Sequence, residues 1–141
     1  VFARNPNLLW KHQARRPNQV WVGDITYLPV PGGWRYLAVV MDQHSRRLVG
    51  WSLSRGRGVK LTRTAVDQAM RKRQPPRGLI FHSDRGIEYA GLAMEKRLKK
   101  LSVRQSMTRG GCPGDNAHAE SFFHSLKADA IHGVRNRASP S

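Results

Sequence analysis

Two aspartates occupy apolar segments in which a charge is costly. Asp24 interrupts the segment VWVGDITYL, and Asp84 ends the segment LIFHSD. A carboxylate inside a central strand is unfavourable unless it is paired or binds a metal. Asp84 is predicted at the C-terminal end of a strand, where active sites of open α/β sheets collect. If the two strands are neighbours, the two carboxylates can face each other and bind a hard divalent cation such as Mg²⁺.

A third oxygen ligand is available on the last predicted helix, which spans 115–131. At about 100° per residue, Glu120 and Lys127 fall on the same side of this helix, beside its apolar stripe. An acid at the rim of the core with a lysine beyond it suits metal binding combined with a phosphate contact. An ion pair on the helix surface explains the same spacing, and the spacing alone favours that ion pair.

The remaining acids have simpler explanations. Asp42 follows the apolar run LAVVM and precedes a turn, so turn formation accounts for it. Glu88 is close enough in sequence to Asp84 to support that residue indirectly. Three acids lie among basic residues in predicted helices, where weak ion pairs on a solvated face are expected: Asp67, Glu95 and Asp129.

The cysteine and histidine content argues against a zinc site. Cys112 is the single cysteine, and no Cys/His set offers the roughly four ligands that structural zinc needs. A single cysteine also excludes a disulfide framework and favours a reducing compartment. His82 alternates with Asp84 across Ser83, so it points to the same side of its strand. It either orients that acid or is a buried histidine with satisfied hydrogen bonds, and the second role is favoured.

The net charge is the strongest bulk property of the chain. Lys and Arg number 25 against 9 Asp and Glu, which leaves a net charge of +16 over 141 residues. Such a charge predicts a polyanionic partner, most simply nucleic acid, although a basic surface or a ribosome-associated fragment has the same composition. No apolar run approaches the roughly 20 residues of a membrane span, so no membrane partner is expected.

The predicted elements form an α/β domain. Strands are predicted at 19–30, 33–45, 46–54, 78–84 and 102–107, and helices at 59–73, 90–101 and 115–131, with a loop at 108–114. The first three strands suggest an antiparallel meander, and the strand–helix–strand order that follows implies a parallel crossover. This order predicts a ribonuclease-H-like fold, with a mixed five-stranded sheet flanked by helices. The predicted domain limits are an arm or linker at 1–17, a core at 18–131 and a truncated or disordered tail at 132–141.

Several motifs resemble a known family when they are taken in order. The segments QVWVGDITYLPVPGGWRYLAVVMDQHSRRLVGW, FHSDRGIEYA and QSMTRGGCPGDNAHAESFFHSLK look like the catalytic core of DDE transposases. The nearest group is the insertion-sequence-three group of bacterial elements, whose cores are similar to retroviral integrase. Asp84 and Glu120 are separated by 35 residues, 85 to 119. This is the D-35-E spacing of the family.

The resemblance implies a metal-dependent enzyme that acts on DNA. It makes Asp24, Asp84 and Glu120 the catalytic and metal-binding triad, with two Mg²⁺ or Mn²⁺ ions. It also implies nicking at transposon ends, strand transfer into target DNA, a homo-oligomeric synaptic complex and no small-molecule substrate. The implied location is the bacterial cytoplasm, in association with DNA. Four further residues are expected to contact DNA: Arg85, Arg109, His124 and Lys127.

Two other functions fit the same motifs. A truncated transposase core could persist as a DNA-binding remnant without catalysis, and it would show a steep salt dependence of binding. The segment ADAIHGVRNRASPS (128–141) departs from the family pattern, which favours this alternative. A different nuclease of the same fold would hydrolyse DNA strands without joining them.

Overall fold

The computed structural model describes residues 14–107, 128, 131 and 132. Within 14–107, it confirms every strand and helix that the sequence predicts and adds one four-residue helix, too short for periodicity to reveal. The loop predicted at 108–114 and most of the helix at 115–131 lie outside the described residues. None of the helices in this part of the chain is long and apolar enough to cross a bilayer. The elements are β1 (Val20–Val30), β2 (Gly33–Asp42), β3 (Leu48–Ser54), α1 (Val59–Arg73), β4 (Ile80–Ser83), α2 (Ile87–Ala90), α3 (Leu92–Lys100) and β5 (Arg104–Met107).

The five strands form one mixed sheet in the order β3-β2-β1-β4-β5. β1 pairs with β2, and β2 with β3, in antiparallel fashion, while β1–β4 and β4–β5 are parallel. The turn between β1 and β2 uses Gly32 and Gly33 at φ of 90° and 129°, a region in which side chains are strained. β1 is therefore the middle strand, and the parallel half of the sheet begins at its edge with β4.

The two faces of the sheet carry separate apolar clusters. The face covered by α1 and α3 contains Trp21, Val40 and Phe81, packed against Ala65 of α1 and other helix residues. The opposite face carries the second cluster, formed by Leu28, Leu37, Val39 and Met41. Ile131 packs against this second cluster, and the helix predicted at 115–131 ends at this residue.

Asp42 forms the turn after β2, as predicted, and it also anchors the segment before β1. Its Oδ1 accepts hydrogen bonds from the backbone N–H groups of His44 at 2.8 Å and Ser45 at 3.2 Å. Its Oδ2 accepts one from the N–H of Asn18 at 2.7 Å. Because Asp42 is fully buried, these bonds satisfy a carboxylate that would otherwise be costly.

The helix acids form the ion pairs that the sequence predicts. Asp67 of α1 accepts from Nε of Arg97 on α3 at 3.0 Å, and Glu95 lies 3.6 Å from Nζ of Lys99. These groups are partly exposed, so each pair contributes at most about 1 kcal/mol. Asp129 lies outside the described residues.

Candidate active site

Asp24 lies in the middle of the sheet on β1. It stands opposite Val39 of β2 and is half-buried, with its Oδ1 accepting a hydrogen bond from the N–H of Ile25 at 2.8 Å. Residues directly opposite in a ladder share a face, so Asp24 is on the face of the Leu28 cluster, away from α1. This is also the face against which Ile131 packs. The structure thus places a carboxylate in the central strand, as the sequence indicated.

Asp84 directly follows β4 and is exposed. In the parallel ladder between β1 and β4, Val20 is opposite Ile80 and Val22 is opposite His82. This ladder ends at the pair Val22–His82, and Asp24 and Asp84 each follow it by two residues. The two strands are neighbours, so the condition for converging carboxylates is met.

The backbone around Asp84 holds this residue in place. The N–H of Gly86 donates to Asp84 Oδ1 at 2.7 Å, and Ser83 Oγ donates to the Asp84 carbonyl at 2.9 Å. A Cβ atom at Gly86 would lie 2.9 Å from Asp84 Oδ1 and 2.8 Å from Glu88 Oε2. A side chain at position 86 would therefore require one or both carboxylates to shift.

Glu88 is a buried acid with a specific partner. Its side chain is 5% exposed, and Nε of Arg57 donates to its Oε1 at 2.5 Å. This hydrogen bond is the main reason that the pKa of Arg57 is raised. The sequence suggested only that Glu88 is near Asp84, because nothing in the local pattern connects it with an arginine 31 residues away.

Helix α2 is fixed by three neighbouring elements of the fold. Besides the Arg57 pair, Thr62 Oγ1 of α1 donates to the carbonyl of Glu88 at 3.1 Å. Gln105 Nε2 of β5 donates to the carbonyl of Tyr89 at 2.7 Å. Because α2 follows Asp84 after only two residues, these bonds also position the Asp84 loop.

Replacing Arg57 by alanine is expected to destabilise the fold through Glu88. The change leaves a buried carboxylate without its cation, which costs about 3–5 kcal/mol for a fully buried pair. Arg57 is half exposed, so we expect a smaller loss of about 1–2 kcal/mol in the free energy of unfolding. Urea denaturation of the purified chain measures it.

The matched variant is Glu88→Gln, which removes the buried charge and retains a hydrogen-bond acceptor for Arg57. The double variant Arg57→Ala/Glu88→Gln should recover most of the stability that Arg57→Ala loses. If the double variant is as unstable as the sum of the two single variants, the two side chains are not coupled.

Tyr89 places a buried hydroxyl near the acids. The residue is 2% exposed, and its Oη has no hydrogen-bond partner in the described part of the chain. Burial raises its pKa well above the ordinary value, and the charges of Asp24, Asp84 and Glu88 raise it further. Its ring packs beside Phe81 at 5.9 Å between centroids. The site therefore contains a protonated hydroxyl donor that the sequence patterns did not reveal.

His82 has the structural role that the sequence favoured. It is buried, and its Nδ1 is hydrogen-bonded to Ser106 Oγ at 2.7 Å. Desolvation lowers its pKa from 6.5 to about 4, so the ring is neutral at neutral pH. It lies on the same side of β4 as Asp84, with a hydrogen bond to β5.

The other predicted site residues divide between the described and undescribed parts of the chain. Arg85 lies in the bend after Asp84 and is partly exposed. Within the described residues, no three His, Cys, Asp or Glu side chains are grouped to hold a metal ion. The described residues include Asp24 and Asp84 of the predicted triad. The remaining predicted residues lie outside the described ranges: Glu120, Arg109, His124 and Lys127.

A family model described as the integrase core domain matches residues 14–113. The chain is also 48% identical over 120 residues to "Transposase InsF for insertion sequence IS3A" of Escherichia coli strain K12. That alignment covers 85% of this chain and 42% of the relative, so the chain spans less than half the length of this relative.

Two solved structures of retroviral integrases share the fold. An intasome of simian T-cell lymphotropic virus, in complex with PP2A regulatory subunit B56 gamma, matches with a TM-score of 0.67 at 19% identity, over 92% of this chain and 46% of that chain. The HTLV-2 integrase catalytic core domain in complex with magnesium matches with a TM-score of 0.61 at 21% identity, over 67% and 63%. These matches confirm the predicted ribonuclease-H-like fold. Together with the family match, they show that the chain belongs to the integrase core domain family and is homologous to IS3-family transposases.

Proposed function

We propose that the chain is the catalytic core of a DDE transposase that cuts DNA strands and joins them to target DNA. The observation that carries this proposal is the parallel pairing of β1 with β4, which puts Asp24 and Asp84 on neighbouring segments, each two residues beyond the last pair of the ladder. Glu120 is the proposed third member of the triad. It belongs to the helix predicted at 115–131, and Ile131, the last residue of that predicted helix, packs on the face of the sheet that carries Asp24. The homology to transposases supports the same reaction class.

The donor set fits divalent metal ions. Asp24 and Asp84 bring like charges together, and a hard cation relieves their repulsion while accepting carboxylate oxygens. The unpartnered hydroxyl of Tyr89 adds a buried hydrogen-bond donor near these acids. We infer that Asp24, Asp84 and Glu120 hold two Mg²⁺ or Mn²⁺ ions. When bound, such ions activate the attacking oxygen and stabilise the leaving oxygen in an in-line displacement at phosphorus.

The protein itself supplies position and charge. Asp24 is mounted on the central strand, and Asp84 is held by the Gly86 and Ser83 hydrogen bonds. The net charge of +16 attracts the phosphate backbone of DNA. Water as the attacking group cuts a strand, whereas a DNA 3′-hydroxyl joins two strands. Four residues are proposed phosphate contacts: Arg85, Arg109, His124 and Lys127.

The proposed partners follow from this reaction. The substrates are transposon ends and target DNA, and two ends must be held together, which implies a homo-oligomer. Neither a membrane nor a small-molecule substrate is part of the proposal. The proposed location is the bacterial cytoplasm.

A cutting and joining assay tests the proposed function. The chain is incubated with a labelled duplex that carries the terminal inverted repeat of its element, in Mg²⁺, in Mn²⁺ or in EDTA. We expect nicking that requires the metal. A second substrate with a precut 3′-hydroxyl end should become joined to a target plasmid. A nuclease of the same fold would cut the first substrate and never join the second.

The alternative is a DNA-binding remnant without catalysis. The observation that favours it is the net charge of +16, which attracts DNA whether or not the acids bind metal. A remnant would bind DNA with a steep salt dependence. It would neither cut nor join the substrates with any of the metals.

A further inference from the structure

The end of the β1–β2 hairpin carries three clustered aromatic side chains, which we name the aromatic platform: Tyr27, Trp34 and Tyr36. Tyr27 is 55% exposed and Trp34 is 64% exposed. Tyr27 is directly opposite Tyr36 in the ladder, and Trp34 is two residues from Tyr36, so the three share one face. Exposed large apolar side chains that cluster in this way mark contact surfaces.

The platform is ordered before any partner binds. The rings of Tyr27 and Tyr36 lie 4.3 Å apart between centroids, and their hydroxyl groups are hydrogen-bonded. The ring of Trp34 stands perpendicular to Tyr27 at 6.1 Å. These contacts fix the rings on a rigid hairpin, while the indole of Trp34 remains open to stacking.

The platform is connected to the candidate active site through Arg57. The guanidinium carbon of Arg57 lies 5.5 Å from the centroid of the Tyr36 ring, and its Nε donates to Glu88. Glu88 in turn flanks Gly86 together with Asp84. Along β1, Tyr27 is three residues beyond Asp24, a distance of about 10 Å. Because this spacing is odd, Tyr27 and Asp24 point to opposite faces of β1. The platform therefore meets the acids only at the end of the sheet, where Arg57 and Glu88 connect it to the Asp84 loop.

We propose that the aromatic platform binds an unpaired base of the DNA strand whose phosphate lies at Asp24 and Asp84. This inference rests on the proposed function and specifies which part of its substrate this surface contacts. Aromatic rings beside an arginine suit nucleobases, which stack on the ring while the cation meets the phosphate backbone. Bases inside a duplex already stack on both faces, so only an unpaired or terminal base has a face free for Trp34.

Charge favours DNA over a second copy of this chain as the occupant. Two copies that each carry a net charge of +16 repel each other, whereas the phosphate backbone is attracted. Arg57 supplies a cation at the Tyr36 ring of the platform. An aromatic surface beside a cation is therefore better matched to a polyanion that carries aromatic bases.

Binding measurements in EDTA test the proposal without any cutting. The full chain is titrated against two labelled probes, a short single-stranded oligonucleotide and a relaxed, covalently closed duplex minicircle. We expect Trp34→Ala to weaken binding of the single strand about tenfold and that of the minicircle less than about twofold. Trp34→Phe should retain most of the single-strand affinity. Leu92→Ala is the control variant. It truncates a side chain of α3 that is 58% exposed and lies outside the platform, and it should leave both affinities unchanged.

Three results would overturn the proposal. The first is unchanged single-strand affinity in a folded Trp34→Ala chain, with folding checked by circular dichroism. The second is equal weakening of both probes, which would indicate general electrostatic binding. The third is loss of self-association in sedimentation at unchanged DNA affinity, which would assign the platform to a second copy of the chain.

The same variants separate this inference from the proposed function. Asp24→Asn should lose cutting and keep the Trp34-dependent preference for the single strand. If the parent chain shows that preference but neither cuts nor joins DNA with metal, the proposed function fails and the aromatic platform stands. If the parent cuts and joins DNA while Trp34→Ala binds both probes like the parent, only the platform assignment fails.

Discussion

Replacing Asp24 or Asp84 by asparagine should lower metal-dependent DNA cutting by about three orders of magnitude. The estimate follows because a bound metal ion supplies several kcal/mol of transition-state stabilisation, and each 1.36 kcal/mol corresponds to about a factor of ten in rate. Asparagine keeps the size of the side chain and removes the charge that is proposed to hold the ion. Either change therefore acts on the ligand set and leaves the shape of the site intact.

The fold should survive these two substitutions. Asp24 and Asp84 lie on neighbouring segments of the sheet, so neutralising one lowers the density of negative charge there. The hydrogen bond from Gly86 to Asp84 Oδ1 can be accepted by an amide oxygen. We expect thermal melting within a few degrees of the parent. A large loss of stability would mean that the carboxylates are structural.

Asp67→Asn is the matched control for the acids. It removes the charge from an acid that bridges α1 and α3 through Arg97, far along the chain from both aspartates. We expect a loss of at most about 1 kcal/mol of stability and an unchanged cutting rate. The rate is measured under single-turnover conditions with labelled duplex in Mg²⁺. Equal cutting by the parent and the Asp24→Asn variant would contradict the assignment of the triad.

The parts of the fold that local patterns encode were predictable. β1, β2 and β3 follow from apolar and β-branched runs that end at glycines or turns, and α1 from apolar residues at helical spacing. Two carboxylates in apolar strands were visible for the same reason, since a charge interrupts each pattern. The parallel pairing of β1 with β4, which makes the segments of Asp24 and Asp84 neighbours, could not be read locally, because it joins residues 60 positions apart.

The supporting contacts of the site were not predictable from the sequence. Arg57 and Glu88 are 31 residues apart, and neither has a local signature of the pair. Tyr89 follows no periodic pattern, and its position near the acids arises from α2, a helix of four residues. The roles of Asp24, Asp84, Glu120 and Lys127 remain predictions.

Gly50→Ala is expected to destabilise the fold strongly, because α1 packs directly on β3 at this position. A Cβ atom at Gly50 would fall on the backbone carbonyl oxygen of Ala65 and lie 3.0 Å from the Cβ of Ala69. A helix backbone cannot rotate away as a side chain can, so α1 must shift as a unit. Overpacking of this kind costs about 3 kcal/mol, which corresponds to a melting temperature lower by roughly 10 °C.

Gly56→Ala is the matched control, since a Cβ atom there meets nothing within 4 Å, and it should melt like the parent. Parent-like melting of Gly50→Ala would show that α1 is not packed as described.

A second effect of Gly50→Ala follows from Thr62 of α1, which donates to the carbonyl of Glu88 beside the Asp84 loop. A shift of α1 should therefore slow cutting even at temperatures at which the Gly50→Ala chain is folded. Stability and activity would then fall together, because the helix that packs on Gly50 also positions the acid after β4.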